Sequence, residues 1–162
     1  MTQDFGCDLW PSGKLSFGDF VGRRSSVEEI EEYISQRYEG TSAVLMPSGR
    51  SALTLVLTFL GITRADPVWI PPFSSHCVIN AVGYVGMPTT SFDSKLKAAV
   101  CFHQWGFPKK IETSAPVIED SVDSLITSTE TLFPNNGSFE ILSLSKILGA
   151  ITGGVVLCQD PK

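Results

Sequence analysis

Long hydrophobic runs and clusters of basic charge are both lacking in this sequence of 162 residues. Charged residues make up 18 % of it, with Lys+Arg at 12 and Asp+Glu at 17, so the formal net charge is −5. Because no basic cluster exceeds a pair, we expect no nucleic-acid partner. The longest apolar run, residues 53–62, is too short to span a bilayer, and the first residues lack the basic start and apolar core of a signal peptide. We therefore expect a cytoplasmic protein that has no membrane partner.

Cysteine pairs with the spacing of a metal site are lacking as well. The four cysteines, Cys7, Cys77, Cys101 and Cys158, are scattered without any C-x-x-C spacing, and three of them lie in apolar stretches. We therefore expect buried free thiols rather than disulfides or a metal site.

What the sequence does contain is an alternation of helical and apolar segments. Its length fits one domain, and its hydrophobic fraction of 43 % is that of a globular protein. Residues 26–40 predict a helix that begins with a capping box formed by Ser26 and Glu29 and ends before Gly40. Residues 128–138 predict a loop.

Seven short apolar segments predict strands. In chain order they read SAVLM, PVWIPP, MPTTSFD, KAAVCFH, APVIED, FEILSLS and GGVVLC, and two helical segments separate the first three. Segments rich in Val and Ile without strict alternation are typical of strands covered on both faces, as in a parallel sheet flanked by helices. The sequence therefore predicts an α/β fold with a seven-stranded, mostly parallel sheet.

A turn that contains glycine follows the first predicted strand. Ligands of open α/β sheets bind at the carboxyl ends of strands, so the residues at those ends are candidates for function. The turn at residues 47–51 can bring backbone N–H groups together at a helix start, where a phosphate binds, and Arg50 can add a charge-assisted contact. An ordinary strand-to-helix connection is the alternative interpretation.

A carboxylate and an amine follow two later strands. Asp120 comes after three buried positions and needs a cation or good hydrogen-bond donors, although it could also cap a following helix. Lys146 follows Ser143 and Ser145 among apolar neighbours, where an amine can lose its proton and attack a carbonyl; a solvated surface lysine is the alternative. A phosphate site, a buried carboxylate and a lysine that forms a Schiff base are together the parts that hold pyridoxal 5′-phosphate (PLP).

These segments, taken in order, resemble the fold-type I PLP enzymes, and most closely the DegT/DnrJ/EryC1/StrS family of sugar aminotransferases. The similar stretches are YEGTSAVLMPSGRSAL, VWIPPFSSHCVINAVGYVGMPTTSFD, AAVCFHQWGFP, VIEDSVDSL and SLSKILGAITGGVV, and they extend over roughly residues 20–160. Each motif is short, but the ordered set is specific.

The resemblance implies roles for single residues. Lys146 would form the Schiff base with the cofactor and move the proton of the substrate carbon, and Asp120 would pair with the pyridinium nitrogen. Backbone donors of the turn and the Ser143 hydroxyl would bind the phosphate. The positions implied to hold the cofactor are Ser48, Gly49, Arg50, Ser51, Ser75, His76, Asp120, Asp123, Ser143 and Lys146.

Several positions depart from the family pattern. Ser75, with His76 beside it, stands where the family commonly has an aromatic residue that stacks on the cofactor ring. Arg50 replaces the usual Thr, and Asp123 stands where Gln or His is common, so that a second acid lies near Asp120. For His103, at a strand end, a structural hydrogen-bonding role and a catalytic role both stay open.

The resemblance also implies an organisation and an activity. Residues 1–19 would form an N-terminal segment, and residues 20–162 the PLP-binding large domain of a homodimer, with an antiparallel last strand and without the small C-terminal domain. The expected reaction transfers an amino group from an amino acid to a nucleotide-linked keto-sugar. Alternatives are another PLP chemistry such as elimination or decarboxylation, a non-catalytic remnant or partner subunit with the same fold, and a flavodoxin-like nucleotide-binding domain.

Overall fold

A seven-stranded sheet carries helices on both of its faces. The computed structural model of the protein describes residues 25–93, 95–124 and 132–159; Cys7, the expected segment 1–19 and residues 128–131 of the predicted loop lie outside them. In chain order the elements are α1 (Val27–Arg37), β1 (Thr41–Met46), α2 (Gly49–Phe59), β2 (Pro67–Trp69), α3 (His76–Val85), β3 (Met87–Thr89), β4 (Ala98–Phe102), a 3₁₀ helix (Gln104–Gly106), β5 (Val117–Asp120), β6 (Phe139–Ser143), α4 (Leu144–Ile147) and β7 (Gly154–Gln159). All seven predicted strands are confirmed.

The strand order places six carboxyl ends at one edge of the sheet. The order is β1-β7-β6-β5-β4-β2-β3, with β7 antiparallel to both of its neighbours and the other adjacent pairs parallel. The expected antiparallel last strand is confirmed. Because every strand except β7 runs in the same direction, the residues that follow these six strands lie on one side, where α/β proteins bind ligands.

The two faces of the sheet bury different clusters of side chains. Helices α2 and α3 cover one face, where Leu57 and Val82 pack against Val100, Ile118 and other apolar strand residues. Helix α1 packs over the other face at β1 and β7, with its Ile34 and Tyr38 against the cluster there. Since side chains alternate along a strand, neighbours in β5 and β6 point to opposite clusters.

Helix α1 begins as its sequence predicts. The Ser26 hydroxyl accepts the N–H of Glu29 at 3.1 Å, and the Glu29 carboxylate accepts the N–H of Ser26 at the same distance. This reciprocal pair satisfies two N–H groups that a helix start would otherwise leave without a partner. None of the described helices has the length and the apolar character that are needed to cross a membrane.

The expectation of buried thiols is wrong for one cysteine. Cys101 is buried, Cys158 is partly buried and Cys77 is exposed, and all three are free thiols. Cys77 lies in the first turn of α3, whereas the buried residues of that helix, Ala81 and Val82, lie further along it. An apolar sequence context therefore did not place this side chain in the core.

Candidate functional site

Strand ends from distant parts of the chain surround one cavity at the carboxyl edge of the sheet. The cavity has a volume of about 330 Å³. Its walls come from the turn after β1, the start of α3 and the ends of β5 and β6. The lining residues are Ser48, Gly49, Arg50, Leu53, Ser75, Cys77, Val78, Asp120, Val122, Ser143, Ser145 and Lys146.

The turn after β1 is fixed by reciprocal hydrogen bonds between two serines. Ser48 caps α2: its Oγ accepts the N–H of Ser51 at 3.2 Å, and the Ser51 hydroxyl donates to the Ser48 carbonyl at 2.8 Å while accepting the Ser48 N–H at 3.0 Å. The capping leaves the start of α2 facing the cavity at Gly49 and Arg50. A helix start of this kind attracts a phosphate through its N–H groups and its dipole.

Two glycines allow close packing around this turn. A Cβ atom on Gly154, in β7, would overlap the Ser48 carbonyl carbon, which is backbone and cannot move aside. A Cβ atom on Gly49 would lie 2.9 Å from a methyl group of Val122, just after β5. The second glycine of the G-G-V-V stretch thus has a physical reason, since it lets β7 run directly against the turn after β1.

The guanidinium of Arg50 lies at the rim of the cavity. Its Nη2 donates to the Cys77 sulfur at 3.3 Å, and both side chains line the cavity while remaining exposed. Arg50 therefore places a positive charge beside the helix start, which favours binding of an anion there.

Asp120 is the buried carboxylate of the cavity wall. It is 2 % exposed, and Oδ1 accepts the N–H of Val122 at 3.3 Å, a long bond. Burial raises the pKa of Asp120 to about 6, opposed by the Val122 hydrogen bond and the Lys146 charge. A carboxylate with so little compensation is stabilised by a cationic N–H group placed against it, which is what the protonated ring nitrogen of PLP would supply.

Lys146 lies on α4, a one-turn helix that begins directly after β6. The sequence predicted the amine at the strand end itself, but the chain turns into this short helix at Leu144. Lys146 Nζ lies 2.7 Å from Asp123 Oδ1, and the two side chains are 39 % and 12 % exposed. Lys146 is therefore an ion-paired side chain at the cavity rather than a solvated surface lysine.

Most of the predicted site residues come together in this cavity. Those that line it are Ser48, Gly49, Arg50, Ser75, Asp120, Ser143 and Lys146. Ser51 is occupied in capping α2, Asp123 reaches the cavity through its contact with Lys146, and His76 is an exposed first residue of α3.

Sequence reasoning missed several of the lining residues. Ser145 was seen only as a neighbour of Lys146, although its hydroxyl lies 3.1 Å from that of Ser143 in the cavity. Cys77 and Val78 follow Ser75 directly, so the start of α3 as a whole was the signal that could have found them. Leu53 and Val122 are apolar and give no sequence signal of a site.

A second buried polar cluster lies on the opposite face of β5. His103 Nδ1 accepts the N–H of Lys109 at 3.0 Å, so its proton is on Nε2, which lies 2.8 Å from Glu119 Oε2. Glu119 also accepts the backbone N–H groups of Asn135 and Gly137 and the side-chain amide of Asn135. His103 thus has a structural hydrogen-bonding role in this cluster.

This cluster contains residue types that can bind a metal ion, but their polar atoms are already used in hydrogen bonds. The ligand atoms of Cys101, His103 and Glu119 lie within 4.8 Å of one another. Both ring nitrogens of His103 are used, however, and burial raises the pKa of Cys101 to about 11, which keeps a thiol rather than the thiolate that binds metals. The arrangement stabilises the fold and has no free ligand atom to offer.

Comparisons with known proteins agree with this geometry. A family model with the description "Putative PLP-dependent aminotransferase" matches residues 30–162. The chain is 24 % identical to GDP-perosamine synthase of Escherichia coli O157:H7, over 83 % of this chain and 45 % of that protein. It therefore spans about half the length of the curated relative that it matches.

Solved structures share the fold. The aminotransferase TlmJ from Streptoalloteichus hindustanus superposes with a TM-score of 0.73 at 18 % identity, covering 95 % of this chain and 53 % of that one. NtdA from Bacillus subtilis, with the cofactor PMP bound, gives a TM-score of 0.69 at 19 % identity, covering 86 % of this chain and 38 % of that one. Together with the family match over most of its length, these findings show that the chain belongs to the PLP-dependent aminotransferase family.

Proposed function

We propose that this chain is the cofactor-binding part of an aminotransferase that moves an amino group from an amino acid to a nucleotide-linked keto-sugar. One observation carries the proposal: a capped helix start, a buried carboxylate and a lysine, supplied by three separate strand ends, line one cavity. When bound there, PLP supplies an aldehyde that reacts with amines and a ring that accepts electrons from the substrate carbon.

The phosphate end of the cavity is the turn that precedes α2. Gly49 and Arg50 present the helix start and a guanidinium, and Ser143 contributes a hydroxyl from the end of β6. Because Ser48 and Ser51 hold this turn through their own hydrogen bonds, its N–H groups are in place before the anion arrives. The turn therefore binds and orients the phosphate.

The Asp120 carboxylate would stabilise the protonated form of the ring nitrogen. This carboxylate is desolvated inside the cavity wall, so it interacts strongly with a cation and weakly with water. Keeping that nitrogen protonated is what makes the ring an effective electron acceptor.

Lys146 would hold the cofactor through its amine, and the same amine could carry a proton to and from the substrate carbon. The Asp123 carboxylate at 2.7 Å orients its Nζ. Asp123 is thereby a positioning residue, since it acts through Lys146 rather than from the cavity wall. His76, exposed at the start of α3, and Ser75, in the cavity wall, complete the proposed set near the ring.

The substrate and the assembly are inferred by similarity. The relative GDP-perosamine synthase is named for a product linked to the nucleotide GDP. This name supports a nucleotide-linked sugar as the amino acceptor. We further propose that residues 20–162 are the PLP-binding large domain, that residues 1–19 form a separate segment, and that the protein works as a cytoplasmic homodimer.

The first test is covalent trapping of the cofactor. The purified chain is mixed with PLP, its absorbance spectrum is recorded, borohydride is added, and the modified peptide is identified by mass spectrometry. We expect a visible band that borohydride removes and a label on Lys146, both absent in Lys146→Ala and unchanged in Lys110→Ala. A spectrum of free PLP in wild type and Lys146→Ala alike would contradict the proposal.

A non-catalytic partner subunit is the second candidate, and the Asp123 contact favours it. The Asp123 carboxylate forms an ion pair with Lys146 Nζ at 2.7 Å, which favours the charged ammonium over the neutral amine that would have to react. The trapping experiment separates the two candidates, because a subunit that only associates would leave Lys146 unlabelled.

A further inference from the structure

One fully buried carboxylate has no part in the proposed function. Glu140 is the second residue of β6. Because Leu142, two residues further along the strand, belongs to the cluster under α1, Glu140 points to that face, away from the cofactor cavity. Burial raises the pKa of Glu140, so the side chain costs stability that an apolar residue of similar size would not cost. This cost points to a role that an apolar side chain cannot fill.

Glu140 holds two separate segments through its two carboxylate oxygens. Oε1 accepts the Ser121 hydroxyl at 2.5 Å, and Oε2 accepts the Phe133 N–H at 2.6 Å. Both bonds are as short as bonds to a charged acceptor usually are. The carboxylate therefore joins β6 at one point to the residue that follows β5 and to the loop that precedes β6.

Ser121 begins the turn after β5 that presents two acids to the cofactor cavity. Its carbonyl accepts the Ser124 N–H at 3.0 Å, which closes the turn. Asp120 directly precedes Ser121 in the cavity wall, and Asp123, inside the turn, contacts Lys146 Nζ at 2.7 Å. A shift of Ser121 would therefore move both acids relative to the lysine.

The backbone pairing of β5 with β6 ends at the same point. Asp120 and Ile141 are the last pair in the register, and the Ser121 N–H bonds the Ile141 carbonyl at 2.9 Å. From there β6 runs on to α4, which carries Lys146. The bond between Glu140 and Ser121 thus adds a side-chain connection where the ladder stops, between the turn that carries the acids and the strand that leads to the amine.

We propose that Glu140 is a positioning residue for the cofactor site, an inference that rests on the proposed function. Through Ser121 it sets the distance between the acids of the turn and Lys146, and it acts from the face of the sheet opposite the cavity. Its bond to the Phe133 N–H keeps the carboxylate itself in place. The role requires an acceptor on two sides, which explains why the fold retains a carboxylate at a buried position.

Acetylation of Lys146 in the chain without cofactor is the first test, because it reports how firmly Asp123 holds the amine. The purified chain is treated briefly with acetic anhydride, and mass spectrometry compares the labelling of Lys146 with that of the exposed Lys110. In Ser121→Ala we expect Lys146 to react at least about threefold faster relative to Lys110, since a displaced Asp123 no longer engages its ammonium.

Ser124→Ala is the matched control, because it removes another buried hydroxyl from the same turn. Ser121 and Ser124 are 2 % and 5 % exposed, and the Ser124 hydroxyl bonds the His103 carbonyl at 2.7 Å, away from the cavity. Both variants should lower the melting temperature by similar amounts. Only Ser121→Ala should accelerate acetylation of Lys146, and only it should weaken PLP binding in a fluorescence titration, by about tenfold.

A double variant tests whether Ser121 acts together with Glu140. Glu140→Gln keeps one acceptor oxygen but loses the charge that holds both donors. Adding Ser121→Ala to Glu140→Gln should change the acetylation rate and the PLP affinity by less than about twofold, because two residues that act as a unit have effects that do not add.

An unchanged acetylation rate of Lys146 in Ser121→Ala would overturn the proposal, and so would an equal acceleration in Ser124→Ala. Should Ser121→Ala fail to fold, Glu140→Gln gives the same comparison with Ser124→Ala. Borohydride trapping of PLP reports separately on the proposed function. Its failure in wild type would contradict that function, while acetylation, which needs no cofactor, would still decide whether Glu140 positions the lysine.

Discussion

Glu119 and Asp120 are neighbours in β5, both buried, and they show how one strand can serve structure on one face and a site on the other. Burial alone would raise the pKa of Glu119, but hydrogen bonds from His103, Asn135 and Gly137 outweigh it and lower the pKa. Asp120 accepts one long backbone hydrogen bond, and its pKa rises to about 6. A buried carboxylate that is fully bonded belongs to the fold, whereas one left with little compensation is available to a ligand.

The largest effect is expected from removing the charge of Glu119. Glu119→Gln cannot accept all of the N–H groups that converge on the carboxylate, and it leaves one of them buried without a partner. We expect it to lower the free energy of unfolding by about 2–4 kcal/mol, measured by urea denaturation. A loss below about 1 kcal/mol would mean that the hydrogen bonds around Glu119 do not stabilise the fold.

Asp120→Asn should separate stability from cofactor binding. It removes a poorly compensated buried charge, so the unfolding free energy at neutral pH should equal or exceed that of wild type. PLP affinity should fall about tenfold to a hundredfold because the ring nitrogen loses its ionic partner. Fluorescence titration with PLP provides the measurement, and Glu112→Gln, in an exposed loop, is the control. Unchanged affinity would remove Asp120 from the proposed site.

The two carboxylates should also respond to pH in opposite directions. Since the pKa of Asp120 is raised from 3.8 to about 6, the folded state binds a proton more readily than the unfolded state between these values. Its contribution to stability therefore grows as the pH falls from above 6 towards 4, by up to about 3 kcal/mol. For Glu119 the pKa is lowered, so its contribution is present above 4.5 and is lost as the pH falls further. Denaturation of wild type and Asp120→Asn across pH 4–8 measures the first effect, and parallel curves would contradict it.

The smallest structural perturbation is thiol labelling. It compares a cysteine in the cavity with a cysteine in the Glu119 cluster, and neither of the two is mutated. Cys77 lines the cavity and is exposed, while Cys101 is buried beside Glu119 with its pKa raised to about 11. In a Cys7→Ser background we expect N-ethylmaleimide to modify Cys77 more than about a hundredfold faster than Cys101. PLP should slow the reaction at Cys77, and mass spectrometry of the peptides gives both rates. Equal rates would indicate that Cys77 does not face an open cavity.

The sequence predicts the helices and strands of this fold better than the contacts between them. Each strand can be predicted because its apolar residues are contiguous in the sequence. The capping box of Ser26 and Glu29 can be predicted for the same reason, since the two residues are three positions apart. The strand order was not available from local patterns, and neither was the contact of Lys146 with Asp123, which are 23 residues apart. The sequence around Glu119 gives no signal of its role, because its donors lie 16 residues or more away in the chain, His103 before it and Asn135 and Gly137 after it.

The site was more predictable than its surroundings. Lys146, Asp120 and the turn at Ser48–Gly49 follow strand ends, and parallel strands bring such positions together whatever their order. The prediction that Cys77 is buried was wrong, because apolar neighbours in the sequence do not determine which side of a helix start packs against the sheet. The positive φ of Phe73, +64°, is a backbone property that sequence composition does not reveal.

The position of β7 has a consequence for biosynthesis. Thr41 pairs with Gln159 and Met46 with Gly154, so the turn after β1 packs against a strand that leaves the ribosome more than a hundred residues after it and directly after the helix that carries Lys146. Contacts between segments so far apart in sequence form late, because closing a long loop costs entropy before any pairing repays it. The cavity between this turn and the Lys146 helix thus stays unfinished in a nascent chain until β7 is inserted beside β1.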